Sequence, residues 1–275
     1  MHQLSLEECQ QEALKVLLCF DEICKEKKFK YFLIYGTLLG AIRHNGFIPW
    51  DDDLDVMMPR EDFDEFVHFA KENAKQLLPF KLCDRANTKN YSYGIPRFAN
   101  TDFKYVVESK FEKQFDLGTF IDIYPLDNFG DTEEEAVSLY KHCSFLNQLF
   151  SWYVSPSSPK GFFKTIARHV LHYFLRIVKG REYGENINAE IRNFVLTNTS
   201  DNNLYAGLVV WADKVVLYEK LKLDRLETID HIFEGHMFPI PKCYDYMLTK
   251  SYGDYMQLPP KEERKAYHGY KIYKR

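Results

Sequence analysis

Four acids fall within Asp51-Asp52-Asp53-Leu54-Asp55, and Leu54, Val56 and Met57 interleave with Asp53 and Asp55 at a period of two. Successive side chains of a strand point to opposite faces, so the pattern predicts a strand with one apolar and one wholly acidic face, Asp53 and Asp55 standing ~6.6 Å apart at ~3.3 Å per residue. Holding that much like charge together without compensation costs several kcal/mol even at an effective dielectric of about 20. A bound cation is therefore expected. Oxygen ligands without neighbouring His or Cys select magnesium, manganese or calcium over zinc. An EF-hand is excluded: a calcium loop opening at Asp51 would put Val56 where glycine is required and Asp62 where glutamate is preferred, and Pro49 and Pro59 do not suit the flanking helices. A solvated turn would leave the alternation with Leu54, Val56 and Met57 unexplained, although Asp51 and Asp52 alone are open to a turn or supporting role.

Upstream, the apolar run from Tyr31 to Tyr35 stops at Gly36-Thr37, and GTLLGAIRHNG follows, which predicts a buried strand, a turn and a short helix closed by Gly46. A glycine at a strand-to-helix turn lets backbone amides approach a phosphate, and the helix N-terminus adds a favourable dipole. A small turn, a helix and a strand bearing Asp-x-Asp, with a third carboxylate on a later strand, is the nucleotidyltransferase pattern. Asp122, between Ile121 and Ile123 in the predicted strand 119–125, is the expected third carboxylate. Two divalent ions, magnesium or manganese, held by Asp53, Asp55 and Asp122 would clamp phosphates, stabilise a leaving nucleotide and lower the pKa of an incoming hydroxyl. Asp122 is open between metal ligand, general base and a hydrogen-bonded acid in the turn before Pro125.

Around this centre the patterning predicts helices over 6–27, 60–74, 132–150, 162–179, 185–197 and 241–251, and strands over 79–84, 91–98 and 102–108. Ser5 and Glu8 have capping-box spacing at the first of these helices. The fold class expected is α/β (α+β): a nucleotidyltransferase-like mixed-sheet core over about 28–130 and a largely helical C-terminal part over about 131–275 completing the site, within one compact unit of 275 residues. Forty acids against 36 bases leave no global positive field, which excludes nucleic acid as the expected partner. Six dispersed cysteines with no CxxC pair predict reduced thiols rather than a zinc site or disulfide framework. The N-terminus has no basic start followed by an apolar run, and no stretch reaches the ~18 apolar residues of a bilayer span, so a cytoplasmic location is expected.

The stretch YGTLLGAIRHNGFIPWDDDLDVMMPREDFDEF, with FIDIYPLDNF and the later YDYMLTKSYGDYMQLPPKEERKAYH, resembles the LicD family, to which the fukutin-type proteins are related; the matching segments run in order from residue 31 to residue 268. The resemblance implies transfer of a phospho-alcohol, typically phosphocholine from CDP-choline, to a sugar hydroxyl of a surface glycan precursor: teichoic acid, lipopolysaccharide or capsule. It carries over Asp53 and Asp55 as metal ligands, Asp122 as the third carboxylate, and Gly36 and Thr37 as the phosphate-facing turn. Arg43 is a candidate for the donor phosphates because a guanidinium holds two phosphate oxygens at once. Arg264 and His268 lie four apart, on one side if that segment is helical, and would bind phosphate or close the site. HNGFIPWDD makes the spacing from Gly36-Thr37 to Asp53 longer than in compact nucleotidyltransferases, as LicD-like sequences do. CDP-ribitol, CDP-glycerol or an ethanolamine analogue would suit the same site as donor. Pyrophosphate-releasing nucleotidyl transfer and a non-catalytic glycan- or nucleotide-binding role are compatible with the fold as well. Trp50, beside the acids, either packs under the strand or faces the alcohol.

A second feature lies between Lys160 and Arg181. KGFFKTIARHVLHYFLRIVKGR holds six Lys/Arg, two His and no acid, and Phe163, Ile166, Val170, Phe174 and Ile177 form one apolar stripe at helical spacing. Such a stripe either packs on the core or lies on an anionic membrane surface, which would suit a lipid-linked acceptor and a peripheral position on the inner face of the membrane.

Overall fold

A computed structural model describes residues 2–108, 114–154, 162–180, 183–198, 204–208, 217–219, 226–265 and 269–275. Helix α1 (Leu6–Lys27) opens on the expected capping box: Glu8 N–H donates to the Ser5 hydroxyl at 3.2 Å, and Ser5 N–H donates to the Glu8 carboxylate at 2.7 Å. Its buried face, Ala13, Leu14, Val16, Leu17 and Phe20, lies against the central sheet. Strand β1 (Phe32–Leu33) is only two residues long, because Ile34 already caps α2 (Tyr35–His44). After β2 (Asp55–Pro59) comes α3 (Arg60–Glu72), whose Phe63, Phe66 and Ala70 are buried; Phe66 meets Phe20 edge-on at 4.9 Å. These aromatic contacts lock α1 and α3 together over the same sheet.

Next come β3 (Phe80–Cys83), β4 (Arg97–Asn100), β5 (Phe103–Val107) and the long β6 (Thr119–Phe129). Helices α4 (Glu133–Val154), α5 (Phe162–Lys179) and α6 (Tyr183–Asn198) follow, then β7 (Tyr205–Gly207) and β8 (Leu217–Glu219). The hairpin β9 (Thr228–Phe233) and β10 (His236–Pro241), helix α7 (Tyr244–Tyr252), a 3-10 turn (Lys261–Glu263) and β11 (Tyr270–Lys274) complete the chain. The main sheet has the order β1-β2-β6-β4-β3. Only β2 and β6 are parallel in it; the far end of β6 continues to β7, which takes β8 on its other edge. The mixed α/β class expected from the sequence is what the chain adopts.

Several boundaries differ from expectation. The acidic strand begins at Asp55 rather than before Asp53, since β1 reaches only from Met57 to Val56 and leaves residues 51–54 without a strand neighbour on that side. The strand expected over 91–98 is instead β4, displaced to 97–100. Among the described residues beyond Asn198, strand outweighs helix: β9, β10 and β11 are ribbons with one side in solvent, and their short runs carry too little period-2 signal to be read. The β9–β10 turn reaches α2 through Glu234, whose carboxylate accepts Phe47 N–H at 3.0 Å and lies where any Gly46 side chain would stand. A side chain at Gly46 would have to displace the Glu234 carboxylate. All six cysteines are free, as expected.

Candidate functional site

The register of three adjacent strands builds the site. Arg97 on β4 stands opposite Asp122 on β6, and Asp122 stands opposite Asp55 on β2. Residues opposite one another on neighbouring strands share a face, so Arg97, Asp122 and Asp55 form one row across the sheet. Asp53, on the segment leading into β2, completes the group: carboxylate oxygens of Asp53, Asp55 and Asp122 lie within 4.8 Å of one another. Asp55 and Asp122 are buried, while Asp53 is half-exposed. Asp51, Asp52 and Asp53 form a second trio at the same spacing, so Asp53 belongs to both.

The charge of this cluster is only partly compensated. Arg97 donates Nε–H to one Asp122 oxygen at 2.6 Å and Nη2–H to the other at 3.3 Å. Its guanidinium is sandwiched between the rings of Tyr93 and Phe120, at 3.6 and 3.9 Å from their centroids, which supports the cation as it leaves water. Burial, and then the charges of Asp53, Asp122 and Asp51, push the Asp55 carboxyl well above the usual carboxylate range, with Arg97 pulling it down only in part. An all-oxygen donor set with excess negative charge in a dry setting fits a hard divalent ion. Asp53, Asp55 and Asp122 are the residues that would hold it.

Local packing fixes these acids in place. The Thr37 hydroxyl accepts Asp55 N–H at 2.7 Å in the buried interior, so α2 holds the first residue of β2. A Cβ at Gly36 would meet the Asp51 carboxylate at 2.6 Å, so glycine there lets Asp51 lie against the first turn of α2. Gln10 of α1 donates to the Asp51 carbonyl at 2.7 Å, and the Tyr270 hydroxyl donates to the Asp52 carbonyl at 3.2 Å. Thr37→Val would strand a buried N–H at no change in shape. The expected loss is about 1–3 kcal/mol in urea unfolding, with Thr37→Ser close to wild type.

At the rim the structure brings Arg43, Arg264 and Trp50 together. Arg264 lies over the Trp50 ring at 5.5 Å and donates Nε–H to Pro259 O at 2.9 Å; Arg43 donates to Tyr255 O at 2.8 Å. Burial, and then the Arg264 charge, lower the Arg43 pKa, so two guanidiniums repel one another beside an acidic site. Trp50 is half-buried between His44 and Arg264, which agrees with packing rather than with a free face. The segment is not helical at Arg264: the 3-10 turn Lys261–Glu263 ends before it, Pro259 and Pro260 precede the turn, and Arg264 has a ψ of 72°. His268 lies outside the described residues.

Sequence reasoning missed Arg97, Tyr35, Tyr252 and Tyr270. Tyr35 has a left-handed φ of 48° at the start of α2, and its buried hydroxyl has no hydrogen-bond partner among the described residues. Burial first, then Tyr218 and Asp55, raise its pKa; burial, then Asp55 and Asp51, raise that of Tyr252, although the Tyr252 residue is 45% exposed. A positive φ and a strand register leave no mark in composition, and no local signal marked Arg97. A separate cleft of about 310 Å³ is lined by Arg60, Tyr93, Pro125 and Arg192, but Arg60 and Arg192 are already paired with Asp127 and Asp64.

Residues 28–159, which contain Arg97 and the three clustered carboxylates, match the family profile described as LicD/FKTN/FKRP, nucleotidyltransferase domain. Over 98% of this chain and 97% of the relative, the sequence is 28% identical to a lipopolysaccharide cholinephosphotransferase, LicD, of Haemophilus influenzae. An uncharacterized protein of Rickettsia typhi is 36% identical over 121 residues, 44% of this chain and 36% of that protein. A counterpart in Rickettsia prowazekii is 32% identical over the same length, covering 42% of that protein.

Proposed function

The chain carries a LicD-family nucleotidyltransferase domain, and from that premise we propose that it is a cytoplasmic, metal-dependent phosphotransferase moving phosphocholine from CDP-choline to a sugar hydroxyl of a surface glycan precursor, lipopolysaccharide foremost. The observation that carries this reading is the alignment through 98% of the chain with a lipopolysaccharide cholinephosphotransferase, which takes in the acids and the Arg264 segment alike. The acceptor oxygen attacks the β-phosphorus as the bond to the bridging oxygen breaks, and CMP leaves with that oxygen. One or two magnesium or manganese ions would supply charge neutralisation at the phosphates. The chain's own residues orient and desolvate. The incoming hydroxyl proton is assigned to Asp53, the half-exposed member of the trio, since Asp55 and Asp122 are buried.

Arg43 and Arg264 are assigned the donor phosphates, because a pair of mutually repelling guanidiniums is relieved by an anion between them. Tyr252, a partly exposed aromatic residue whose pKa is raised by burial and then by Asp55 and Asp51, is assigned the trimethylammonium group. Arg264→Ala is expected to raise the KM for CDP-choline about 10- to 100-fold with a smaller change in kcat, as loss of a charge-assisted hydrogen bond does. The deciding measurement is CMP release from CDP-choline, CDP-ethanolamine, CDP-ribitol and CDP-glycerol in magnesium, with and without EDTA, in the presence of glycan extract. Metal-dependent CMP release favouring CDP-choline supports the reading. Release of the phospho-alcohol in place of CMP, the mark of attack on the α-phosphorus, or no release from any donor, overturns it.

A further inference from the structure

Helix α5 is built inside out. Its inner face is polar: Arg168 donates to Ser151 O at 3.2 Å and Ser151 Oγ at 2.9 Å, and the His172 ring nitrogen Nδ1 lies 3.2 Å from Trp152 O. Only Leu175 among the described α5 apolar side chains is buried, and none joins the core that α4 and α6 form through Tyr140, Phe150, Ile187 and Ile191. The opposite face carries Ile166, Val170, Tyr173, Phe174, Ile177 and Val178, exposed by 47, 66, 60, 57, 82 and 59%. The sequence left open whether the stripe packs on the core or faces outward, and the described residues face outward; the Phe163 side chain lies outside them. At about 100° per residue these six fall in one arc about 140° wide. Lys164 stands beyond one edge of it, and His169 and Arg176 beyond the other.

We propose that this face docks on the surface of an anionic lipid bilayer. An apolar arc bordered on both sides by bases, in a segment with no acid from 160 to 181, is complementary to lipid tails flanked by negative headgroups. The charge pattern also selects against a second copy of this chain. A two-fold contact would set the same bases against themselves, with no acid on the helix to answer them. No helix among the described residues is long and apolar enough to cross a membrane, so the helix lies along the surface rather than through it. The inference stands on α5 alone and does not depend on the phosphotransfer reading.

Flotation with phosphatidylcholine vesicles, with and without phosphatidylglycerol, tests it at low and high salt. The full chain is expected to float with the anionic vesicles at low salt and to be released by salt. Phe174→Asp with Ile177→Asp should weaken that binding at least about tenfold. Lys164→Glu with Lys179→Glu should weaken it while leaving the apolar arc intact, so the test does not depend on how well the first variant folds. Circular dichroism and the magnesium-induced shift in Tm, unchanged in a competent variant, separate lost docking from lost folding. Wild-type protein that stays unbound at low salt overturns the proposal, as does equal binding by both variants. Concentration-dependent self-association abolished by Phe174→Asp would assign the face to a second copy and overturn it too.

Discussion

Asp55→Asn is expected to reduce transfer by about a thousand-fold or more while making the metal-free protein more stable than wild type. The two effects have one origin. Asp55 is buried among acids whose oxygens lie within 4.8 Å, and its carboxyl is pushed well above the usual range. Holding it ionised therefore weighs against folding whenever no cation is present. Asparagine keeps the shape, removes one of the clustered charges and offers N–H donors to the remaining acids. The gain in EDTA should be on the order of 1–2 kcal/mol, a few degrees in Tm for a chain of this size. Magnesium should raise the wild-type Tm by mass action, about 2.7 kcal/mol at a hundredfold excess over Kd, and should barely move the variant. A variant less stable than wild type in EDTA that still responds fully to magnesium would show that these acids are not the metal site.

What could be read in advance followed the range of each interaction along the chain. The capping box at Ser5 and Glu8 joins residues three apart, and its geometry matched. The bounds of α5 were legible because helical periodicity repeats over 18 residues, yet which face points inward was not, since that depends on where α4 lies. Asp53, Asp55 and Asp122 were legible as chemistry, because acids set among apolar strand residues are costly unless a cation offsets them. Their alignment was not. Asp122 meets Asp55 through a strand register, and Arg97 joins the row through another, with nothing in the local sequence to mark it. Thr37 shows the converse. The family resemblance gave it to a phosphate-facing turn, and the structure shows its buried hydroxyl accepting Asp55 N–H, a bond that spacing could not reveal. The rim was half-read: Arg43 and Arg264 came from the family resemblance, which holds along the whole chain, whereas Tyr252 and Tyr270 arrive from distant elements.

Arg97 separates Asp122 as a metal ligand from Asp122 as a merely hydrogen-bonded acid. Arg97→Met keeps much of the volume between Tyr93 and Phe120 but leaves Asp122 buried without its cation. Breaking one side of a buried pair costs about 3–5 kcal/mol, so the variant should unfold at markedly lower urea in EDTA. If Asp122 is a metal ligand, a divalent ion replaces the lost positive charge, and the magnesium-induced rise in Tm should exceed that of wild type. If Asp122 serves only to seat Arg97, magnesium gives the variant no extra stability. Pairing the change with Asp122→Leu removes both charges, and since an apolar replacement of a buried pair is often neutral, most of the stability should return. That double variant should still lack transfer activity. Recovery of folding together with wild-type turnover would remove both residues from the working site and leave Asp53 and Asp55 to hold the ion alone.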